Sequence, residues 1–248
     1  MKGRKDFNFI RNIGVMGSGS GNGTTTVATA LAHYYGKMNH RVCYTECKDP
    51  DRRSHLFYDS ADMKRHFPNE EIISVYSNIK LEKPIRNLRN VKNNVNWRIV
   101  TPEDVENQYI LTERERWELI TSAMGDICVF DFESNGKWDN FISNMDLIIL
   151  VIDPLPSKLI RDRNRMIDIQ SLDNGEVPFF HLVNHMNDGV SKRQIKKYIT
   201  GSNPLFIKSI DLEKVYALEF RCKPLWSDPE VDGIFANTFA KISENMVK

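Results

Sequence analysis

Four glycines at alternate positions, Gly17, Gly19, Gly21 and Gly23, separate an apolar run from three consecutive threonines, Thr24, Thr25 and Thr26. A chain of this kind can turn successive backbone N–H groups towards one point, and a helix opening at the threonines adds the positive end of its dipole. The chemistry that suits such a loop is capture of an anion, with hydroxyls to offer a phosphate or a magnesium ion. A turn that is merely glycine-rich is the plain alternative, but four glycines before a threonine-led helix exceed what a turn requires.

Two nucleotide motifs can be laid on the loop. Against the phosphate-loop pattern G-x-x-x-x-G-K-[ST], Gly23 and Thr25 match, Ser18 stands where the first glycine belongs, and Thr24 replaces the lysine. That lysine normally brings positive charge to the β- and γ-phosphates, so its loss bears on any phosphoryl transfer. The dinucleotide fingerprint G-x-G-x-x-G fails in both frames, its last glycine falling on Asn22 or on Thr24. Thr25 suits a magnesium ion and Thr26 an α-phosphate; either also suits the N-cap of the helix.

The elements that must position this loop are short apolar runs bounded by turn formers. Five read as buried strands: 12–16, 41–45, 126–131, 147–152 and 178–184. Helical spacing covers 24–37, 111–124 (opened by a capping box at Thr112) and 157–171, and the C-terminal 234–246 has apolar residues at helical intervals. Alternation of strand and helix, with strands apolar throughout, predicts a doubly wound α/β fold with a mostly parallel sheet covered on both faces. Residues 51–96 mix both signals and are left unassigned. No repeat or linker divides the chain, which reads as one domain over 1–248.

Composition excludes several classes. Lys and Arg number 34 against 33 Asp and Glu, a net charge of +1, which argues against nucleic acid as a partner, although a local basic patch is compatible with this balance. No apolar run approaches the roughly 20 residues that span a bilayer. The four cysteines form no Cys-x-x-Cys pair, Cys43 and Cys47 being the pair that could share a metal, and fit a reducing cytoplasm; His181 and His185, on a strand and its exit, do not make a metal site.

Over nearly its whole length the sequence resembles the ParA/MinD family of deviant Walker A ATPases, whose loop reads K-G-G-x-G-K-T-T. Gly19-Ser-Gly-Asn-Gly-Thr-Thr-Thr26 keeps Gly21, Gly23 and both threonines, with Gly19 and Thr24 in place of the two lysines. The segments 41–50, 127–133, 145–157, 182–187 and 210–225 resemble the family's later strands and its closing motif. Within the family the lysine-free loop is most similar to CpaE/TadZ-like proteins of Tad/Flp pilus assembly. The resemblance implies a P-loop NTPase architecture binding ATP or ADP with Mg²⁺, at most a weak ATPase. It implies a homodimer in the cytoplasm, recruited to a membrane by a partner and serving a pilus or secretion machine. It implies phosphate contacts from Gly19, Ser20, Gly21, Asn22, Gly23, Thr24, Thr25 and Thr26, metal contacts from Thr25 and Asp131, and a base contact from Asn184.

Both strand-end residues have plainer uses: Asp131 as a helix cap, Asn184 as a turn former. Glu46 aligns with the first acid of the family's second-strand motif, but the next falls on Lys48, and only a one-residue slip recovers Asp49. Lys48 is thereby a candidate to return positive charge to the phosphates. Arg161, Asp162, Arg163 and Arg165 read as a solvated helix face, with protein docking as the alternative. The C-terminal helix is expected to pack on the core rather than lie on a membrane.

Overall fold

The computed structural model describes residues 11–50, 58, 61–66, 72–85, 88–172, 177–199 and 203–246. All five expected strands form, 147–152 as expected and the others with ends moved by at most two residues, and three more join them. They are β1 Asn12–Gly17, β2 Val42–Cys47, β3 Val91–Lys92, β4 Val95–Arg98, β5 Ile127–Phe132, β6 Leu147–Ile152, β7 Phe179–Met186 and β8 Leu205–Lys208. The eight-stranded sheet runs in the order β3-β4-β2-β5-β1-β6-β7-β8 and is parallel except between β3 and β4.

Continuous apolar strands build this because side chains alternate between two buried faces. On β6, Leu147, Ile149 and Val151 enter the core beneath helix α1 (Thr24–Lys37), while Ile148, Leu150 and Ile152 enter the opposite one with Phe130, Trp138 and Phe141. The C-terminal helix, Pro229–Met246, seals the first core through Val231, Phe235, Phe239 and Ile242, so it packs rather than projects.

Two regions differ from expectation. The polar stretch before Trp97 carries the β3–β4 hairpin: Asn93 (φ 53°) and Asn94 (φ 62°) both take the left-handed conformation that such a two-residue turn needs and that asparagine tolerates. Within 51–96 the described residues also form short helices at Met63–His66 and Val75–Lys80, the second capped by Ser74 Oγ accepting from Ser77 N–H at 2.8 Å. Residues 51–57, 59–60, 67–71 and 86–87 of that segment lie outside the described residues. The single helix expected over 157–171 is two, Pro156–Arg161 and Arg163–Ser171, broken at Asp162 (φ −92°, ψ 3°), whose side chain turns inward.

Strand β1 lies between β5 and β6, where the order of winding reverses. The crevice beyond its carboxyl end is where doubly wound sheets bind ligands. The glycine loop leaves β1 at that point.

A candidate phosphate-binding site at the carboxyl end of β1

The loop's peptide planes are fixed from outside. Arg161 Nη2 donates to Ser20 O at 3.1 Å, Lys158 Nζ to Gly21 O at 2.6 Å, and Asn184 Nδ2 to Asn22 O at 3.1 Å. In a trans peptide the N–H points opposite to the C=O, so tying these carbonyls turns the amides of Gly21, Asn22 and Gly23 the other way. Among the described residues, none of the N–H groups from Gly19 to Thr26 donates a hydrogen bond to another protein group. Buried Asn22 anchors the loop through Nδ2, which donates to Ser18 Oγ at 2.8 Å, while its Oδ1 has no partner among the described residues. A row of unpaired amides at the start of a 14-residue helix is an arrangement that can take an anion.

Two of the glycines are required by their neighbours. Gly23 caps α1 at φ +83°, and a Cβ there would meet Asn184 Nδ2 at 2.3 Å. A Cβ on Gly19 would meet the Asp162 carboxylate at 2.0 Å. The position where the resembled motif carries its first lysine is therefore closed by a carboxylate as well as lacking a charge. Asp162 is buried rather than part of a solvated face, and Arg161 reaches the loop. Arg165 pairs both its terminal nitrogens with Asp139 at 2.6 Å, which leaves Arg161 and Arg163 of the four exposed, the first of them over the loop. The cause is the helix break at Asp162, which rolls this stretch onto the loop.

A second cation stands on the other side. Lys48 Nζ, just past β2, lies 2.8 Å from Thr25 Oγ1, 2.9 Å from Asp131 Oδ2 and 3.1 Å from Glu46 Oε1. The Lys48 side chain is 19% exposed, Glu46 0% and Asp131 1%. Neighbouring polar groups hold all three. Tyr44 Oη donates to Asp131 Oδ2, Val100 N–H donates to Glu46 Oε2 at 2.8 Å, and Tyr76 Oη sits 2.8 Å from Glu46 O and accepts from Lys48 N–H at 3.2 Å. Burial alone would lower the Lys48 pKa, but the Asp131 and Glu46 carboxylates outweigh it and raise the pKa above that of an ordinary lysine. Burial raises Glu46 despite Lys48.

Thr25 and Asp131, expected together at a metal, are thus brought together around an ammonium. With Nζ at these distances the oxygens do not fit a magnesium ion as well. Asn184 spends its amide nitrogen on the loop and on His185 Nε2 at 3.1 Å, so the structure uses it as a brace. Asp49 does not join the site; it faces Arg116 at 3.4 Å and Lys137. Among the described residues no group of three His, Cys, Asp or Glu could hold a metal, and no helix is long and apolar enough to cross a membrane. Sequence reasoning missed Lys158 and Asp153. Lys158 Nζ and His185 Nδ1 both lie 2.8 Å from Asp153 Oδ2, and although burial pushes that carboxyl up, hydrogen bonds led by Lys158 leave its pKa below the usual value. Only their place one and six residues beyond the end of β6 hinted at this.

No protein-family model and no curated protein sequence matches the chain. Solved structures do. A ParA family ATPase from Chlorobium tepidum superposes with a TM-score of 0.67 at 16% identity, over 92% of this chain and 98% of that one. MinD from Pyrococcus horikoshii, complexed with Mg-ADP, gives 0.67 at 17% identity over 96% of each chain. The chain has the ParA/MinD fold. A MinC:MinD cell division complex from Aquifex aeolicus gives 0.65 at 15% identity, over 94% and 96% of the two chains. At such identity the likeness speaks to fold, and the ParA/MinD architecture here carries Thr24 and Gly19 where the resembled loop has lysines.

Proposed function

We propose that this chain binds the phosphates of ATP or ADP through Gly19 to Thr26, hydrolyses nucleotide slowly or not at all, and acts by nucleotide-linked dimerisation and partner docking. The observation that carries the reading is the row of unpaired loop amides, held open by Arg161, Lys158 and Asn184 drawing on the loop carbonyls. The fold neighbours support it, one holding Mg-ADP and one complexed with a partner protein. Slow chemistry follows from the missing charge: losing one preorganised donor at a transition state costs on the order of 10²–10³ in rate. We further propose a cytoplasmic assembly or localisation role beside a Tad/Flp-type pilus or related secretion machine, a reading supported by the lysine-free form of the loop.

Calorimetric titration with ADP and ATP, repeated on Thr24→Lys, tests the nucleotide reading. The expected result is saturable binding without measurable turnover, tightened about tenfold by the added charge-assisted bond in the variant. Absence of binding by both proteins overturns it and leaves the loop a scaffold element; turnover at ordinary ATPase rates overturns the second half.

One observation favours a second reading. Lys192, Arg193, Lys196, Lys197 and Lys241 line a groove beside β8, the local basic patch that a balanced total charge conceals. A partition-type protein would grip duplex nucleic acid there; a duplex left unshifted at low salt removes this reading.

A further inference from the structure

The Lys48 ammonium ends at the first turn of α1, on a set of three oxygens from three elements: Thr25 Oγ1 at 2.8 Å, Asp131 Oδ2 at 2.9 Å and Glu46 Oε1 at 3.1 Å. One hydroxyl and two carboxylates converging beside a phosphate cradle are what a hard divalent cation takes, at about 2.0–2.1 Å and in near-octahedral order. Here all three oxygens stand at hydrogen-bond distance from a nitrogen that has three donors, and all three donors are used. A metal would have to expel the ammonium, leaving a cation without its two carboxylates. The Lys48 main chain is also pinned, since Tyr76 Oη accepts from its N–H at 3.2 Å and lies 3.0 Å from its carbonyl oxygen.

We propose that the Lys48 ammonium is the built-in cation of this site, standing where a nucleotide-bound divalent metal would stand, so that the chain binds a nucleotide's phosphates without Mg²⁺. The inference rests on the nucleotide reading above for its ligand, but not for the occupancy of the three oxygens. Because Lys48 donates to Thr25 Oγ1, the hydroxyl hydrogen of Thr25 is left to point away from Nζ and donate to an incoming phosphate oxygen. One positive charge replaces two against the same pair of carboxylates, which makes phosphate binding independent of metal and weak.

The experiment has two arms. In the first, Mn²⁺ is titrated into the nucleotide-free protein and into Lys48→Ala, followed by electron paramagnetic resonance and by thermal unfolding. The native protein is expected to bind no Mn²⁺ at this site, whereas Lys48→Ala, with three oxygens released, binds it and gains several degrees in midpoint. Mn²⁺ binding by the native protein that Asp131→Asn abolishes overturns the proposal. In the second arm, ADP is titrated into the native protein in Mg²⁺ and in EDTA. Equal affinity within about twofold supports the proposal, and an affinity more than about tenfold tighter in Mg²⁺ overturns it. If Lys48→Ala does not fold, the native protein decides in both arms. If ADP does not bind in either buffer, the nucleotide reading falls and the Mn²⁺ arm alone judges the lysine.

Discussion

Two sets of cations flank the glycine loop, and they are held in opposite ways. On the β2 side Lys48 sits with Glu46 and Asp131, carboxylates 0% and 1% exposed, among tyrosine hydroxyls that fix the geometry. On the β6 side Lys158 and the half-exposed Arg161 lie over the loop, bonding main-chain carbonyls and the carboxylates of Asp153 and Asp162. The first set is an ion cluster in a poorly polarisable interior; the second is a strap open to water and salt. The difference teaches that the charge missing from the loop's own sequence is supplied twice by tertiary contacts. Only the buried set is rigid enough to stand in for a fixed cation.

The sharpest way to break the contrast is to empty its buried half. Lys48→Ala leaves two carboxylates facing each other without a counter-charge, and breaking a buried pair by removing one partner costs about 3–5 kcal/mol. Denaturant unfolding should show that loss, and a loss under about 1 kcal/mol would mean the cluster is solvated like the strap. Next in size is Gly23→Ala, at the loop both sets surround. A left-handed φ and a Cβ placed on Asn184 should cost about 1–3 kcal/mol and abolish phosphate binding together. Unfolding and ADP titration of one sample would check both.

The two carboxylates should also answer pH in opposite directions. Burial holds the Glu46 pKa above its unfolded value, so its contribution to stability is most favourable below the ordinary carboxylate range and is lost as pH rises through its folded pKa. Asp153 is depressed: its contribution is present above its unfolded pKa and lost as pH falls through its lower folded value. Unfolding free energies of Glu46→Gln and Asp153→Asn, measured from acid to neutral pH against the native protein, should therefore diverge with opposite slopes. Parallel slopes would put both groups in the same environment. The smallest effect is expected for Lys158→Ala. A single partly exposed pair contributes about 0–1 kcal/mol, and high salt should erase most of it.

Much of the fold could be read along the chain, because continuous apolar strands and an amphipathic α1 are local patterns that period and length reveal. The glycine loop was equally legible, since Gly21 and Gly23 declare their positive φ by having no side chain. The β3–β4 hairpin was not, since asparagines that tolerate a left-handed turn also populate ordinary loops. The break at Asp162 was hidden for a different reason: nothing in its neighbours shows that its carboxylate lies against Gly19, 143 positions earlier in the chain.

The sequence by itself determined a sheet wound on both sides of β1 and a glycine loop at the end of that strand, because both depend on backbone freedom and on hydrophobic period. It named Thr25 and Asp131 together as metal groups and Lys48 as a separate candidate cation. Only the tertiary structure decided that they form one cluster with Glu46, that Asn184 braces the loop, and that Lys158 and Arg161 reach it. Those outcomes depend on side chains meeting from strands far apart in the chain, and in a desolvated crevice such meetings decide where a charge can rest.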